Sequence, residues 1–415
     1  MKILHIVSGP LSSGAGKGAR ALHESLQALG VDTAILGRVE KGLAPAVNAN
    51  GFSFSEKFLP GVMNRFFLRR LNRRFPKTPV MFHPISYGLA PQRRLEFKEA
   101  SLVHVQFSHA ATLGPSFWQE LSRVKNPVVF TLRDMWLFTG GCHFSLDCRG
   151  YETGCDVCPM LGGGAETLTA TDVRRKLEAL KSAAAFVAIS HDIAEKARQS
   201  VVLKGADIRV IPNSIDTAGF ELIDKATARA ALGLPRDAFI VGFGALNLSE
   251  VRKGSKVVTD VLHDMVEPDG VHWAIFGGNP FDLPSNATYF GRVQVQSKLN
   301  LIYAAADVFL MPSLQESFGK TTAEALLSGT PVIAFDSTPA VEIIDHEDSG
   351  WIVTNGDAAA VIRALKDAHA GGRARLAAMG RVGRRNVLAR FSPNVVARMH
   401  IDLYRDLIAR SQTGR

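Results

Sequence analysis

Two glutamates flank a short turn that opens a helix in the C-terminal half of the chain. Glu316 and Glu324 lie in the segment PSLQESFGKTTAEALLSGTPVIAF, residues 312–335, on either side of a Ser-Phe-Gly turn that ends at Gly319. The first backbone N–H groups of a helix have no intrahelical acceptor and can hold a diphosphate. Carboxylates repel phosphate, but they accept hydrogen bonds from sugar hydroxyls. The segment therefore indicates a site for a nucleotide sugar.

Two adjacent cations, Arg252 and Lys253, follow a predicted strand that ends near Gly244. A diphosphate leaving group gains negative charge in the transition state of a transfer reaction, and fixed cations stabilise that charge. We interpret this pair as the cationic part of the same site. The alternative, that both side chains are solvated charges of a surface loop, stays open at this point.

A loop of small residues, SSGAGKGA at 12–19, follows the first predicted strand. It is similar to two nucleotide-binding motifs and satisfies neither of them. A P-loop requires Ser or Thr after its lysine, whereas Gly18 follows Lys17 here. The dinucleotide-binding pattern is met only in part, by Gly14 and Gly16. The alternative is a tight turn between a strand and a helix.

Four cysteines, Cys142, Cys148, Cys155 and Cys158, lie within 17 residues, and the rest of the chain has none. In a reducing compartment, clustered cysteines bind metal more often than they form disulfides. The last two have the Cys-x-x-Cys spacing of a zinc knuckle, and four thiolates complete a closed tetrahedral site. We predict a structural zinc ion without a catalytic role. Free thiols and disulfides remain the alternatives.

The positive charge of the chain is concentrated at its N-terminal end. The net charge is +9, and residues 1–110 hold 15 Lys and Arg against 6 Asp and Glu. Within this region MNRFFLRRLNRRF, residues 63–75, interleaves arginines with apolar residues, and on a helix the two kinds fall on different faces. We interpret this helix either as packed on the core with a solvated basic face or as bound to an anionic membrane surface. No RNA-binding aromatic motif or zinc finger accompanies the arginines, so we expect no nucleic-acid partner.

Short apolar runs alternate with helical stretches along the whole chain, as in LVHVQF (102–107), PVVFTL (127–132), VHWAIFGG (271–278) and PVIAF (331–335). This alternation predicts parallel sheets covered by helices. The predicted fold is α/β, with two doubly wound Rossmann-like domains facing a cleft. We predict an N-terminal acceptor-binding domain at 1–205, a C-terminal nucleotide-sugar-binding domain at 206–386, and a helical segment at 387–415 that packs back on the N-terminal domain.

No apolar run reaches the roughly 18 residues that a membrane-spanning helix requires. The N-terminal MKILHIVSGP is broken by Gly9 and Pro10 too early for a signal peptide, and it is typical of a buried first strand. We therefore expect a cytoplasmic protein that lies at the inner membrane face when its acceptor is lipid-linked.

The segment ADVFLMPSLQESFGKTTAEALLSGTPVIAF resembles the signature of the family 4 glycosyltransferases, which have the GT-B fold, and EIIDHEDSGWIV continues the likeness. Upstream, IPNSID resembles the linker motif of this family, and RKG at 252–254 resembles its phosphate-contacting Lys-Gly. The likeness runs from residue 1 to about residue 390 and is most specific at 301–355. A branch of the family carries a similar cysteine-rich loop after its Asp-Met-Trp motif.

The resemblance implies transfer of a sugar from a nucleotide-sugar donor with retention of anomeric configuration and without a cofactor for catalysis. It implies that Glu316 bonds hydroxyls of the donor sugar, that Glu324 bonds the ribose hydroxyls, and that Lys253 and Arg252 stabilise the diphosphate. Other donor-binding positions that we carry over from the family are Gly14, Gly16, Asn247, Phe318, Gly319 and Lys320. Asn247 stands where the family often has an arginine.

For the acceptor, the family often has a histidine after the strand that matches LVHVQF. Gln106 stands at that place, and we expect His109, three residues later, to lie near the acceptor and take part in catalysis. Arg133 and Asp134 stand where the family has His-Asp, and Arg133 is a candidate ligand for a phosphate.

We therefore expect a retaining hexosyltransferase that builds surface polysaccharide on a glycan or lipid-linked acceptor. Two other classes stay open: a nucleotide-sugar hydrolase or epimerase of the same fold, and a non-catalytic partner of another transferase. Intact Glu316, Glu324 and Lys253 favour an active enzyme.

Overall fold

The computed structural model describes residues 1–11, 14–38, 49–51, 54–75, 82–107, 113–162, 166–264 and 270–413. The chain divides into two compact units. Unit 1 consists of Met1–Ser214 and Pro393–Arg415, and unit 2 consists of Ile215–Ser392. The division thus lies after residues 214 and 392, whereas the sequence-based boundaries lie after residues 205 and 386.

Unit 1 is built on a parallel sheet with seven strands in the described residues, in the order β3-β2-β1-β4-β5-β6-β7. The strands are β1 (Lys2–Pro10), β2 (Asp32–Arg38), β3 (Ala49–Gly51), β4 (Leu102–Phe107), β5 (Val128–Leu132), β6 (Ala185–Ala188) and β7 (Ile208–Val210). Every residue of β5 and β6 is buried. Helices on both faces of a parallel sheet bury its strands completely, so the strands are continuous apolar runs.

In the part of unit 1 that the structure describes, six α-helices precede the last strand. They are α1 (Gly14–Ala28), α2 (Phe54–Arg74), α3 (Leu95–Glu99), α4 (Pro115–Glu120), α5 (Glu166–Leu180) and α6 (His191–Gln199). Ser190 caps α6, because its side chain accepts a hydrogen bond from the backbone N–H of Ile193.

Unit 2 has a parallel sheet with six strands in the described residues, in the order β10-β9-β8-β11-β12-β13. The strands are β8 (Phe239–Asn247), β9 (Val271–Gly278), β10 (Ala287–Tyr289), β11 (Val308–Met311), β12 (Val332–Phe335) and β13 (Gly350–Val353). The helices are α7 (Lys225–Leu232), α8 (Ser255–Asp264), α9 (Gln296–Ala305), α10 (Lys320–Leu327) and α11 (Ala358–Phe391). The chain then returns to unit 1 as α12 (Pro393–Thr413).

Each sheet has one point where the strand order reverses. In unit 1 it lies between β1 and β4, and in unit 2 between β8 and β11. Ligands of open α/β sheets bind outside the carboxyl ends of the strands at such a point. The segments that follow β8 and β11 in unit 2, and those that follow β1 and β4 in unit 1, are therefore where functional side chains are expected.

Among the ranges that the structure describes, no helix combines the length and the apolarity required to cross a bilayer.

Candidate functional site

The turn before α10 has the geometry that the sequence predicts. Gly319 has φ +86°, a left-handed conformation that strains any side chain, and α10 begins at the next residue. Phe318 is buried, and its ring packs edge-on against Phe391 at 5.5 Å between centroids. The side chain of Phe318 therefore anchors the turn, and the first N–H groups of α10 are those that a helix leaves without an intrahelical acceptor.

Glu324 lies on α10, and only 5% of its surface is exposed. Its Oε1 lies 3.0 Å from the Nζ of Lys320, one turn earlier, and its Oε2 accepts a hydrogen bond of 3.2 Å from the hydroxyl of Tyr303. Burial and the neighbouring Glu324 carboxylate raise the pKa of Tyr303 well above its ordinary value, so Tyr303 remains a donor. Glu324 is thus held near the start of α10, where hydroxyl recognition is predicted.

Glu316 contacts both Arg252 and Lys253. Its Oε1 is hydrogen-bonded to the Nζ of Lys253 and lies 3.6 Å from an Nη of Arg252. Burial by itself would raise the pKa of Glu316, but Lys253 and Arg252 outweigh burial and lower the pKa below its ordinary value. The carboxylate is therefore ionised at neutral pH and shares its site with two positive charges.

Two loops meet to form this ion cluster. Arg252 and Lys253 lie in a short 3-10 turn after β8, and Arg252 donates to the backbone oxygen of Gln315, which follows β11, at 2.9 Å. Gly254 has φ +74°, and a Cβ at this position would lie 1.9 Å from the backbone oxygen of Pro312. The glycine of the RKG motif is therefore required for the close approach of the two loops.

Asn247, the last residue of β8, lies beside this segment in the chain. Its Oδ1 accepts hydrogen bonds from the backbone N–H of Ser249 at 3.2 Å and from the side chain of Asn279 at 3.3 Å. The side chain of Asn247 thus supports the turn after β8, and its role in donor binding stays a prediction.

In unit 1 the small-residue segment differs from its prediction. Gly14 and Gly16 lie in the first turns of α1, not in a loop before it. Gly16 is buried, and a Cβ added at Gly18 would lie only 2.9 Å from an Nη of Arg133. Small residues are needed because the start of α1 packs closely against the guanidinium group that follows β5.

Arg133 is held by neutral acceptors in unit 1. Its Nε donates to the backbone oxygen of Gln106 at 3.0 Å, one Nη donates to the Gln106 side chain at 2.7 Å, and the other donates to the Asn213 side chain at 2.8 Å. Burial lowers the pKa of Arg133 to about 10, where it is still charged at neutral pH. Asn213 belongs to IPNSID, whose sequence suggests only a linker, so this contact was missed. His109 lies outside the described residues.

Unit 1 also contains a cluster of buried histidines that was not predicted from the sequence. His5 of β1 and His104 of β4 are paired across the sheet, and His104 lies 2.6 Å from the hydroxyl of Tyr404 and 2.7 Å from that of Thr131. Burial lowers the pKa of His400, on α12, to about 4. The only signal in the sequence is the occurrence of polar residues inside apolar strands, which by itself does not identify their partners.

The four cysteines are free thiols that line one cavity in unit 1. Burial raises the pKa of Cys142 to about 12 and raises the pKa values of Cys155 and Cys158. Burial therefore disfavours the thiolate, which is the nucleophilic form of cysteine, at these three positions. Among the described residues, no three His, Cys, Asp or Glu side chains are already arranged to hold a metal ion.

Two family models match the chain. The model described as Glycosyltransferase Family 4 matches residues 12–218, and the model described as Glycosyl transferases group 1 matches residues 238–370. The putative colanic acid biosynthesis glycosyl transferase WcaC of Escherichia coli (strain K12) is 28% identical over 251 residues, which are 55% of this chain and 60% of that protein. The D-inositol 3-phosphate glycosyltransferase of Corynebacterium urealyticum is 31% identical over 237 residues, 53% of this chain and 54% of that protein. The matches thus span about half to three-fifths of these relatives.

Solved structures resemble the chain over nearly its whole length. Sucrose-phosphate synthase from Thermosynechococcus elongatus has a TM-score of 0.67 at 19% identity, with 99% of this chain and 100% of that chain covered. Anabaena HepE in complex with UDP-glucose has a TM-score of 0.63 at 16% identity, with both chains fully covered. At these identities the likeness shows the fold alone, and the predicted GT-B fold is confirmed.

Proposed function

The chain belongs to glycosyltransferase family 4, and from this premise we propose that it transfers a sugar from a nucleotide-sugar donor to a glycan or lipid-linked acceptor with retention of configuration. The observation that supports this most is the ion cluster of Glu316, Lys253 and Arg252. It follows two adjacent strands at the reversal point of unit 2, and the same segment carries the Gly319 turn and Glu324. UDP-glucose in the similar HepE structure supports a donor of the same chemical class.

In this proposal the diphosphate lies at the start of α10 and accepts hydrogen bonds from backbone N–H groups near Gly319. The bond between the anomeric carbon and the phosphate oxygen breaks, and Lys253 with Arg252 stabilises the charge that develops on that oxygen. The acceptor hydroxyl oxygen bonds to the anomeric carbon and passes its proton to the leaving phosphate. The products are the glycoside and the nucleoside diphosphate, so the reaction needs no further reactant.

Glu324→Ala is expected to weaken nucleotide binding. Two hydrogen bonds from ribose hydroxyls to a charged acceptor would be lost, each worth about 1.5–3 kcal/mol, so the dissociation constant should rise at least about tenfold. Calorimetric titration with UDP and GDP measures this effect, after thermal shifts with a panel of UDP- and GDP-sugars have identified the nucleotide.

Two further variants make this test specific. Glu324→Gln keeps an oxygen for the hydroxyl of Tyr303 and separates loss of charge from loss of packing. Asp264→Ala removes an exposed carboxylate at the end of α8 and is expected to leave affinity unchanged. Equal nucleotide affinity in the wild type and Glu324→Ala would contradict the ribose assignment. Sugar release without an acceptor would favour the hydrolase alternative.

We further propose that α2 holds unit 1 at an anionic membrane surface. Val62, Met63 and Phe66 are exposed, with 66% of Phe66 accessible to solvent. Phe67, in contrast, is half-buried and packs against Tyr87 at 6.4 Å between ring centroids. The sequence pattern places Met63 and Phe67 on one apolar face of the helix. In the structure Met63 is exposed, whereas Phe67 is packed. A surface with exposed apolar groups and many arginines is typical of helices that bind anionic lipid.

Replacing four exposed arginines of α2 by glutamine should abolish binding to anionic vesicles. Each cation near an anionic surface contributes roughly 1 kcal/mol, and the contribution fades as salt is added. Sedimentation with anionic and neutral vesicles at low and high salt measures the effect. The four substitutions are Arg69→Gln, Arg70→Gln, Arg73→Gln and Arg74→Gln.

A matched variant removes the same amount of charge from other helices, at the exposed residues Lys366, Arg381, Arg385 and Arg398. We expect this control to keep its affinity for anionic vesicles. If both quadruple variants lose binding equally, overall charge and not α2 accounts for it. If the wild type ignores anionic vesicles at low salt, the helix is structural and the acceptor is soluble.

A further inference from the structure

The strongest feature of unit 1 that the proposed reaction does not use is the cavity lined by Cys142, Cys148, Cys155 and Cys158, here called the thiol cavity. These are all the cysteines of the chain, and all four are free. The cavity has a volume of about 20 Å³, which is room for one water-sized particle. All four cysteines line this cavity, and four cysteine sulfurs are the ligand set of a closed structural zinc site.

Backbone N–H groups in this region are directed at the sulfur atoms. The N–H of Gly140 donates to the Sγ of Cys155 at 3.3 Å, and the N–H of Gly150 donates to the Sγ of Cys148 at 3.4 Å. Such hydrogen bonds stabilise negative charge on sulfur, and metal-bound cysteine is a thiolate.

The backbone before the Cys-x-x-Cys pair is folded into a tight turn. Gly154 has φ +115°, and Cys155 has φ +59°, a left-handed conformation that is unusual for a residue with a side chain. The N–H of Cys155 donates to the backbone oxygen of Gly150 at 2.7 Å, which closes the turn. Such unfavourable backbone conformations persist where the surroundings, including a ligand, hold them in place.

A buried cation stands next to the thiol cavity. Lys176 of α5 is fully buried, and its Nζ donates to the backbone oxygens of Trp136 at 2.5 Å and Thr139 at 2.9 Å. Its charge is close enough to Cys142 and Cys155 to interact with them electrostatically. Zn²⁺ with four thiolates carries a net charge of −2, so a buried lysine would partly balance the completed site.

We propose that the four thiols of the cavity bind one Zn²⁺ ion. Because no three candidate ligands of the described residues yet have the arrangement that a metal ion requires, the sulfur atoms must move towards the ion. Binding converts four thiols into four thiolates and releases four protons, and no group is oxidised or reduced. With four protein ligands the site has no open position, so the ion is structural.

The metal would stabilise the segment between the end of β5 and Cys142. His143, next to Cys142, lies 2.7 Å from Asp134, and the N–H of Met135 donates to the backbone oxygen of His143 at 3.0 Å. Asp134 follows Arg133, the guanidinium that packs against the start of α1. Zinc in the thiol cavity would thus fix the position of Arg133 from a distance, and it would not touch a substrate.

The test is metal analysis of the full chain, purified under reducing conditions from medium that contains zinc. We expect about one zinc per chain in the wild type and essentially none in the double variant Cys155→Ser, Cys158→Ser. Ser145→Ala changes a residue that lines the same cavity and is not a ligand, so this variant should retain zinc. Chelation of zinc should lower the temperature of unfolding.

A second measurement uses only the wild type, in case the double variant does not fold. A mercurial reagent that reacts with thiols should release about one zinc per chain into a colorimetric indicator. The proposal is overturned if the reduced wild-type protein contains no zinc. It is equally overturned if mass spectrometry of protein purified without reductant finds the four cysteines joined in two disulfides.

Discussion

Removing the carboxylate of Glu316 is expected to lower the rate of sugar transfer about 100- to 1,000-fold, the range observed when one electrostatic contact to a transition state is lost. In the proposed mechanism Glu316 binds hydroxyls of the donor sugar, and a nucleoside diphosphate has no such sugar. Nucleotide affinity should therefore fall little. It should even rise slightly, because Lys253 and Arg252 lose the carboxylate that competes with phosphate for their charge.

Initial rates and calorimetric titrations of Glu316→Ala and Glu316→Gln measure this split between turnover and affinity. Glu316→Gln keeps the shape of the side chain, so a defect shared by both variants is due to the charge. Lys256→Ala, on the first turn of α8, is an exposed control close to Lys253 in the chain. Unchanged turnover in both Glu316 variants, or an equal loss of turnover and nucleotide affinity, would contradict the assigned role.

Most strands of the fold were predictable because they are buried on both faces. All four residues of β11 and all four of β12 are buried, so each appears in the sequence as a short apolar run between turn residues. β3 and β13 were not predicted. β3 has only three residues, and β13 begins with Gly350 and has only three apolar residues, so each is a short signal in the sequence.

The residues of the candidate site were named from the sequence, but their contacts were not. Residue types and spacing identified Glu316 and Lys253, but their contact joins positions 63 residues apart. It depends on how closely two loops approach at Gly254, which only the folded backbone determines. In the proposed mechanism this ion pair keeps the Glu316 carboxylate beside both cations before the donor binds.

Contacts across the sheet of unit 1 were beyond prediction for the same reason. His104 and Tyr404, for example, are 300 residues apart and meet because α12 returns to unit 1 after the whole of unit 2. A polar residue inside an apolar strand signals that a partner exists, because a buried polar group without one is costly. The signal does not say which residue that partner is.

The histidine cluster leads to the second large effect, a loss of stability in mild acid. Burial, followed by the charges of neighbouring groups, lowers the pKa values of His5 and His104 well below their ordinary value, and burial lowers that of His400 to about 4. The ionisable neighbours that face these rings include His23, Arg133 and Tyr404. Among the described residues, the groups that shift these three pKa values include no carboxylate, so a protonated ring in the cluster gains no compensating negative charge from them.

The direction of the effect follows from proton uptake. An unfolded histidine has a pKa near 6.5, so below that pH the unfolded chain binds more protons than the folded chain, and acid favours unfolding. The stability that the neutral rings contribute is complete above pH 6.5 and is lost as the pH falls towards 4. For His400 alone, the free energy of unfolding at pH 5 is lower by about 2 kcal/mol than above pH 6.5. His5 and His104 lower it further, because their pKa values are shifted in the same direction.

Denaturant unfolding between pH 7.5 and 5, with hydrogen exchange of peptides from α12 as a local probe, is expected to show this loss first in unit 1. His400→Leu removes one titrating group, so its stability should fall less steeply with decreasing pH, even if its stability at pH 7.5 is lower than that of the wild type. His263→Gln, at an exposed position of α8, should leave the dependence of stability on pH unchanged.

This pH dependence distinguishes a titrating role of His400 from a purely space-filling one. A histidine that only fills space would change the free energy of unfolding equally at every pH. If His400→Leu and the wild type lose stability in parallel between pH 7.5 and 5, His400 is not titrating on unfolding and the acid sensitivity has another origin.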